Sequence, residues 1–196
     1  FISLLKKRKF IYLIFDVYPE TAIENGLFSN TSLISVIWKK FNTFTFEKAS
    51  KVMVIGRCMK SKIEQHVTPK NKLLLTHVWA DDKGIQSSIK TPDICRNKWG
   101  LKEEFIILYS GNIGRFHDIE TILYAAKKLK DRTDIVFLFV GEGHKKSWSE
   151  DYATKHHLTN CVFKTYVPRE ELGNLLTSAN LGIVSLLETQ VGLSVP

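Results

Sequence analysis

The stretch FIILYSGNIG, residues 105–114, is the part of the sequence that decides the fold. It opens with apolar, β-branched and aromatic residues, a pattern typical of a strand buried inside a sheet. The two glycines that follow allow the chain to turn tightly. Residues 119–129 then place apolar side chains at helical spacing on one face. The sequence therefore predicts a strand, a glycine turn and a helix in succession.

The same alternation of strands and helices continues on both sides of this stretch. In the second half, we predict further strands at 135–140, 162–167 and 181–186, with helices at 93–100, 145–156 and 169–179. In the first half, we predict strands at 10–15, 51–55 and 73–75, with helices at 32–50 and 59–66. The strand at 10–15 is expected to be buried, because it is continuously apolar and aromatic. Such alternation predicts the α/β class, with Rossmann-like parallel sheets and right-handed crossovers.

Residues 81–92 interrupt this pattern. Asp, Lys, Gly, Gln, Ser and Thr dominate there without an apolar period, which is typical of a linker between two domains. We therefore predict one domain at 1–80 and another at 93–196. The chain begins with Phe1, shows no signal-peptide pattern and stops directly after an apolar segment. We interpret it as a fragment that holds two incomplete domains.

Composition excludes several classes of protein. The 196 residues are 44% hydrophobic and 24% charged, which is typical of a globular protein and argues against a disordered or fibrous chain. No apolar stretch approaches the roughly 20 residues of a membrane-spanning helix. The three cysteines, Cys58, Cys95 and Cys161, have no C-x-x-C spacing. This argues against a zinc site or a disulfide framework and favours a reduced, cytoplasmic setting.

Positive charge is concentrated in the first half of the chain. Residues 1–100 hold 17 Lys and Arg against 8 Asp and Glu, a balance of +9, whereas residues 101–196 hold 11 against 12, a balance of −1. A one-sided field attracts phosphate groups or anionic lipid headgroups. The densest basic run, residues 6–9, follows apolar residues, and a solvated helix end or loop explains it equally well.

The first candidate site follows the strand at 105–109, because ligands of open parallel sheets bind beyond the carboxyl ends of the strands. The glycine loop, as we call residues 110–118, contains Gly111, Gly114, Arg115 and His117. Free N–H groups at the start of the next helix, together with the two basic side chains, favour a phosphate. The loop matches neither G-x-G-x-x-G nor a P-loop, and such turns also occur for purely structural reasons.

Other strand ends supply further candidates. The second loop, residues 141–144, contains a Gly-x-Gly turn whose Glu142 can accept bonds from hydroxyl groups, although a plain turn with an exposed acid explains it too. Tyr166 and Val167 can offer backbone groups to a nucleobase, whereas Pro168 after them equally suits the start of a helix.

Asp16 can orient or deprotonate a hydroxyl, or it can cap the next turn. No H-E-x-x-H or G-x-S-x-G motif occurs.

Taken together, these loops resemble the donor half of retaining GT-B glycosyltransferases of family 4. The resemblance rests on the order and spacing of YSGNIG at 109–114, FLFVGEG at 137–143, VP at 167–168 and LLTSAN at 175–180. Upstream, DVYPE at 16–20 is similar to the D-x-x-P-E segment of the subgroup that acts in capsular, O-antigen and colanic acid synthesis. The resemblance covers nearly the whole chain and implies a partial GT-B architecture.

The resemblance also implies the reaction and its residues. A nucleotide sugar, expected to be UDP-linked, would be bound by residues of the three loops: Gly111, Asn112, Ile113, Gly114, Gly141, Glu142, Tyr166 and Val167. The sugar would pass to a hydroxyl with retention, while Arg115 and His117 stabilise the departing diphosphate and Asp16 orients the acceptor. Many members carry Arg after the first glycine and Lys-Gly before the helix, where this chain has Asn112 and His117-Asp118. We expect no metal or other cofactor, since the chain has no D-x-D motif.

Members of that subgroup use lipid-linked saccharide acceptors at the cytoplasmic face of the membrane. We therefore predict that residues 1–10 contact anionic lipid and that the protein is peripheral to the inner face of the cell membrane. Two alternatives stay open: a UDP-N-acetylhexosamine epimerase of GT-B fold and a basic nucleic-acid-binding module. Against nucleic acid, Phe10, Tyr12 and Phe15 lie in a predicted strand and do not alternate with basic residues on an open face.

Overall fold

The structure, a computed structural model, describes residues 8–78 and 93–195. Its contacts divide the chain into two units, one comprising Phe1–Trp79 with Leu186–Pro196 and the other Ala80–Ser185. The predicted linker at 81–92 lies outside the described residues, as do residues 1–7 of the segment predicted to contact lipid. The domain bounds 1–80 and 93–196 remain a prediction, whereas the contacts group residues 186–196 with the first unit.

The first unit is built on a three-stranded parallel sheet. Its strands stand in the order β1-β2-β3 and are β1 (Ile11–Ile14), β2 (Lys51–Val54) and β3 (Leu73–Leu75). Helices α1 (Glu20–Glu24) and α2 (Leu33–Lys48) connect β1 to β2, and α3 (Arg57–Ile63) connects β2 to β3. Two 3-10 turns, Glu64–His66 and Lys70–Lys72, precede β3. The predicted strands and helices are confirmed, and α1 is additional.

The core of the first unit surrounds β2, the central strand. Val52 and Val54 are fully buried there, and Phe46 of α2 packs in the same cluster. Leu193 also belongs to this core, and its carbonyl oxygen accepts a hydrogen bond from Val17 N at 2.8 Å. The segment 186–195 is thereby fixed to the carboxyl end of β1.

The expectation that the strand at 10–15 is buried is wrong. Ile11 is 61% exposed and Leu13 is 43% exposed, and only Ile14 of the four strand residues is buried. The reason is that β1 is an edge strand, which pairs with β2 alone among the described residues. A continuous apolar run is compatible with burial on both faces, but it carries no information about what covers the strand.

Helix α2 is confirmed, but its orientation was not predicted. The residues that gave the helical spacing, among them Ile34, Ile37 and Phe41, are exposed, whereas Phe46 is buried. The periodicity therefore identified a helix without identifying the face that packs on this sheet. Among the described residues, no helix has the length and apolarity needed to cross a membrane.

The second unit holds a four-stranded parallel sheet in the order β6-β5-β4-β7. Its strands are β4 (Phe105–Ser110), β5 (Ile135–Val140), β6 (Cys161–Lys164) and β7 (Leu181–Gly182). Its helices are α4 (Asp93–Trp99), α5 (Ile119–Lys128), α6 (Lys146–Lys155) and α7 (Leu172–Ser178), the last preceded by a 3-10 turn at Arg169–Glu171. The predicted alternation and the α/β class are confirmed, although β6 and β7 end earlier than expected.

Side chains of β4 alternate between two apolar clusters, as the geometry of a strand requires. Ile106 and Leu108 lie in one cluster, and Tyr109 lies in the other together with residues of α5. Helix α5 begins where Asp118 Oδ1 accepts a hydrogen bond from Thr121 N at 3.1 Å, a typical N-cap. The strand and the cap fix both ends of the glycine loop.

Candidate functional site

The glycine loop and the second loop lie side by side at the carboxyl ends of β4 and β5. Gly111 N donates to the carbonyl oxygen of Val140 at 3.0 Å, and Ile113 N donates to that of Glu142 at 2.9 Å. Lys145 N in turn donates to the carbonyl oxygen of Ile113 at 2.9 Å. Six of the predicted binding residues are therefore brought together: Gly111, Asn112, Ile113, Gly114, Gly141 and Glu142.

The glycines of the second loop are required by the contact between the two loops. A Cβ atom on Gly143 would lie 2.5 Å from the carbonyl oxygen of Ile113, well inside contact distance. The Asn112 side chain covers the same place, since its Oδ1 atom would lie 2.6 Å from that Cβ. Its Nδ2 atom would lie 2.6 Å from a Cβ on Gly114. The backbone of the two loops thus forms one closely packed rim with Asn112 on it.

A row of backbone donors lies in the glycine loop just before α5. The N–H groups of Gly114, Arg115 and Phe116 donate no hydrogen bond to any other described residue. The Arg115 side chain is exposed and forms no hydrogen bond or ion pair with the rest of the described chain. Consecutive free N–H groups near the positive end of a helix dipole, beside a guanidinium, are a typical anion site.

The other two cations of this rim already have acidic partners. Lys145 Nζ lies 3.0 Å from Glu120 Oε2, and Lys146 Nζ lies 2.6 Å from Glu142 Oε1. Lys145 Nζ also donates to the carbonyl oxygen of His117 at 2.8 Å. Among Lys and Arg of the described rim, Arg115 is therefore the one whose charge is not already compensated by a carboxylate.

His117 is held inside the rim by a residue that the sequence did not point to. The hydroxyl oxygen of Tyr109 lies 2.6 Å from His117 Nδ1 and 2.8 Å from the carbonyl oxygen of Asn112. Burial lowers the pKa of His117, and the positive charge of Lys145 lowers it further. The lowered pKa favours the neutral imidazole at pH 7. A tyrosine at the end of a strand, followed by a glycine turn, is a weak signal that could have identified Tyr109.

The third predicted loop holds Tyr166 and Val167, and these two residues lie in different surroundings. Tyr166 is exposed, and its hydroxyl lies 3.5 Å from the carbonyl oxygen of Glu142, at the limit of a hydrogen bond. Its ring lies beside Gly141, 3.5 Å from the place a Cβ would take. Val167, in contrast, packs against the apolar cluster that contains Ile106 and Leu108 of β4.

Asp16 belongs to the first unit, where it follows β1. Its Oδ1 atom accepts a hydrogen bond from Ser194 Oγ at 2.6 Å, and the side chain is exposed. The part of the chain that the structure describes contains no cluster of three or more His, Cys, Asp or Glu residues arranged for a metal ion. Its three cysteines are free thiols.

Known proteins resemble the chain in sequence and in fold. Residues 93–195 match the family of glycosyl transferases group 1. The chain is 26% identical over 190 residues to the probable glycosyltransferase WbjE of Pseudomonas aeruginosa, a match that covers 96% of this chain and 47% of WbjE. It is 30% identical over 147 residues to the putative colanic acid biosynthesis glycosyl transferase WcaI of Escherichia coli (strain K12), covering 74% of this chain and 36% of WcaI. The chain thus spans about half the length of these relatives or less.

The fold is also found in solved structures. The crystal structure of Anabaena Alr3699/HepE in complex with UDP superposes with a TM-score of 0.70 at 13% identity, covering 92% of this chain and 47% of that one. At this identity the match shows the fold alone. The predicted similarity to the GT-B fold is confirmed.

Proposed function

The chain belongs to the family of glycosyl transferases group 1, and from this premise we propose that its glycine loop binds the diphosphate of a nucleotide sugar during glycosyl transfer. The observation that carries the proposal is the row of free N–H groups at Gly114, Arg115 and Phe116 beside the uncompensated Arg115 side chain. Such donors stabilise the negative charge that develops as the nucleoside diphosphate leaves. The proposal is favoured over an epimerase and over a nucleic-acid-binding module by the transferase relatives WbjE and WcaI.

The finer features of the reaction are part of the same proposal. UDP as the nucleotide is supported by HepE, which shares the fold and was crystallised with UDP. Retention at the anomeric carbon and the absence of a metal requirement follow from the family resemblance of the loops. A role in cell-surface polysaccharide synthesis is supported by WcaI, whose name refers to colanic acid biosynthesis.

The experiment that tests this proposal compares ligands that differ in their phosphates. Calorimetric titration of the protein with uridine, UMP and UDP separates the contribution of the base from that of the diphosphate. We expect UDP to bind at least about tenfold more tightly than UMP, a difference of about 1.4 kcal/mol. Equal affinities for the three ligands would exclude the glycine loop as a diphosphate site. Release of UDP from UDP-sugar without any acceptor would instead support the epimerase.

The acceptor side of the proposal concerns the first unit. A lipid-linked saccharide acceptor at the inner face of the membrane agrees with the balance of +9 in residues 1–100. Asp16 is proposed to orient its hydroxyl, with residues 1–10 on the anionic lipid surface at about 1 kcal/mol for each basic residue.

Sedimentation with vesicles tests the lipid contact. We expect binding to anionic vesicles and weaker binding to neutral ones. Replacing Lys6, Lys7 and Lys9 with Gln is expected to reduce the binding to anionic vesicles. A matched triple substitution of the exposed Lys127, Lys128 and Lys130 is expected to leave it unchanged. Equal sedimentation with both kinds of vesicle would contradict the lipid contact.

A further inference from the structure

The Tyr109 hydroxyl makes two short contacts with only one hydrogen to share. Its oxygen lies 2.8 Å from the carbonyl oxygen of Asn112 and 2.6 Å from Nδ1 of His117. The two rings meet edge to face, with centroids 6.0 Å apart, and Tyr109 is 4% exposed. Packing therefore fixes the buried Tyr109 ring, while His117 is half-buried.

Counting hydrogens leaves one arrangement that satisfies both contacts. A carbonyl oxygen can only accept, so the Tyr109 hydroxyl donates its hydrogen to Asn112. No other described residue donates to that carbonyl. The contact with His117 is then a hydrogen bond only if Nδ1 carries a hydrogen and donates it to the Tyr109 oxygen. If Tyr109 donated to Nδ1 instead, the Asn112 carbonyl would face a lone pair at 2.8 Å.

The charge states of the two residues agree with this arrangement. Burial raises the pKa of Tyr109 to about 12, so the hydroxyl keeps its hydrogen at neutral pH. The pKa of His117 is lowered by burial and by the positive charge of Lys145, which Glu120 partly offsets as its ion-pair partner. A neutral imidazole with a hydrogen on Nδ1 has a bare lone pair on Nε2. Nε2 forms no hydrogen bond with another described residue.

We infer that Tyr109 is a positioning residue, which holds His117 in the Nδ1–H form so that Nε2 accepts a hydrogen bond from a hydroxyl group of the nucleotide sugar. The ligand named here rests on the proposed function, whereas the state of His117 does not. A bare Nε2 lone pair repels a phosphate oxygen, and it attracts a hydroxyl hydrogen. His117 then accepts a hydrogen bond from a hydroxyl group of the ribose or of the sugar. Arg115 and the free N–H groups bind the phosphates.

The state of His117 is measured without any ligand. In protein labelled with 15N-histidine, the nitrogen shifts at pH 7.5 distinguish the two neutral forms and the cation, and His117→Gln assigns the signals. We expect Nδ1 to be protonated and Nε2 to be bare. Tyr109→Phe removes the acceptor that holds the hydrogen on Nδ1, so the Nε2–H form is expected to increase. Tyr124→Phe, an exposed tyrosine on α5, is expected to change nothing.

Two outcomes of that measurement would overturn the inference. One is a hydrogen on Nε2 of His117 in the wild-type protein at pH 7.5, which decides the matter even if Tyr109→Phe fails to fold. The other is a folded Tyr109→Phe variant whose His117 signals are the same as those of the wild type.

The ligand is then identified by three additions to the labelled protein. Inorganic pyrophosphate is expected to leave Nε2 bare. A shift of Nε2 with UDP would identify a ribose hydroxyl, and a shift only with UDP-glucose would identify a hydroxyl of the sugar. Protonation of Nε2 by pyrophosphate, or bound UDP-glucose without any shift of Nε2, would overturn the hydroxyl contact. If calorimetry shows that none of the three binds, the proposed function fails, and the ligand-free spectrum still decides the role of Tyr109.

Discussion

A Cβ atom on Gly141 would lie 1.9 Å from the carbonyl oxygen of Gly111. The backbones of the glycine loop and the second loop touch at this point, and Gly111 N bonds to the carbonyl oxygen of Val140 at 3.0 Å beside it. Gly141 N extends the contact to the next strand through the carbonyl oxygen of Lys164, also at 3.0 Å. The ends of β4, β5 and β6 are thereby fixed to one another, and the proposed diphosphate site depends on that contact.

Substitution of Gly141 by Ala is expected to separate the two loops. The added methyl group cannot occupy a place 1.9 Å from a backbone oxygen, so one loop must move. We expect the free energy of unfolding to fall by about 1–3 kcal/mol, as for overpacked sites. The affinity for UDP is expected to fall as well, because the donors of the glycine loop are displaced. Urea denaturation and calorimetric titration measure the two effects.

Gly182→Ala is the matched control for this prediction. A Cβ on Gly182 meets no atom within 4 Å, although the residue lies in the same sheet, in β7. We expect this variant to bind UDP as the wild type does. A Gly141→Ala variant with the stability and the UDP affinity of the wild type would show that the contact between the loops is not needed for either property.

Arg115→Ala is expected to lower turnover while leaving the fold intact. The side chain is exposed and has no partner in the described chain, so its loss removes no packing. Loss of one preorganised donor to a developing charge costs about 2–4 kcal/mol, or roughly 30- to 1000-fold in kcat/KM. Steady-state kinetics with UDP-sugar, together with the thermal midpoint, measure both properties.

Arg132→Ala provides a comparison for Arg115→Ala, because Arg132 is also an exposed arginine of the second unit, and its ion-pair partner within residues 8–78 and 93–195 is Asp134. We expect its kinetics to equal those of the wild type. An Arg115→Ala variant with unchanged kcat/KM would remove Arg115 from the site.

The sequence predicted the second unit better than the first, for a physical reason. Both faces of β4 and β5 are covered within the unit itself, so a continuous apolar run such as residues 135–140 corresponds to burial in fact. In the first unit, Ile11 and Ile37 are apolar and yet exposed. Their periodicity identified a strand and a helix, but exposure depends on neighbours that no local pattern specifies.

Some contacts of the candidate site could be predicted from the local sequence, whereas others depend on the three-dimensional fold. The glycine loop and the second loop could be predicted to meet, since parallel strands bring their carboxyl ends to one edge. The bond from Tyr109 to His117 and the ion pair from Lys145 to Glu120 could not, because each depends on side-chain directions across a loop or between two helices. The burial of His117 and its nearness to Lys145, which lower the pKa of His117, are likewise visible only in three dimensions.

The lowered pKa of His117 predicts how stability depends on pH. In the unfolded chain the group titrates near its ordinary pKa of 6.5, whereas in the folded protein burial and Lys145 lower the pKa. Between those two values the unfolded state binds more protons, so the free energy of unfolding falls as the pH is lowered from 7.5 through 6.5. His117→Gln is expected to show a shallower fall over the same range.

Urea denaturation at pH 7.5 and 5.5 measures this difference. Burial also lowers the pKa of His156, but His156 is present in both proteins, so its contribution cancels in the comparison. Parallel pH profiles for the wild type and His117→Gln would contradict the assignment of a lowered pKa to His117.

Asn160→Ala is expected to destabilise the second unit without altering the site. Asn160 is 5% exposed, and its Nδ2 atom donates to the carbonyl oxygen of Ala126 at 2.9 Å near the end of α5. Without the amide, that carbonyl keeps its other hydrogen bond, from Leu129 N at 3.1 Å, so we expect the free energy of unfolding to fall by about 0.5–1.5 kcal/mol, the net contribution of one hydrogen bond. Asn160 precedes β6, at the amino ends of the parallel strands, whereas the glycine loop lies at their carboxyl ends, so the affinity of the folded protein for UDP is expected to be unchanged. Thr159→Ala, at the exposed neighbouring position, is the control and is expected to change stability by less than about 0.5 kcal/mol. Equal stabilities of the two variants would show that the Asn160 bond does not hold α5 to the sheet.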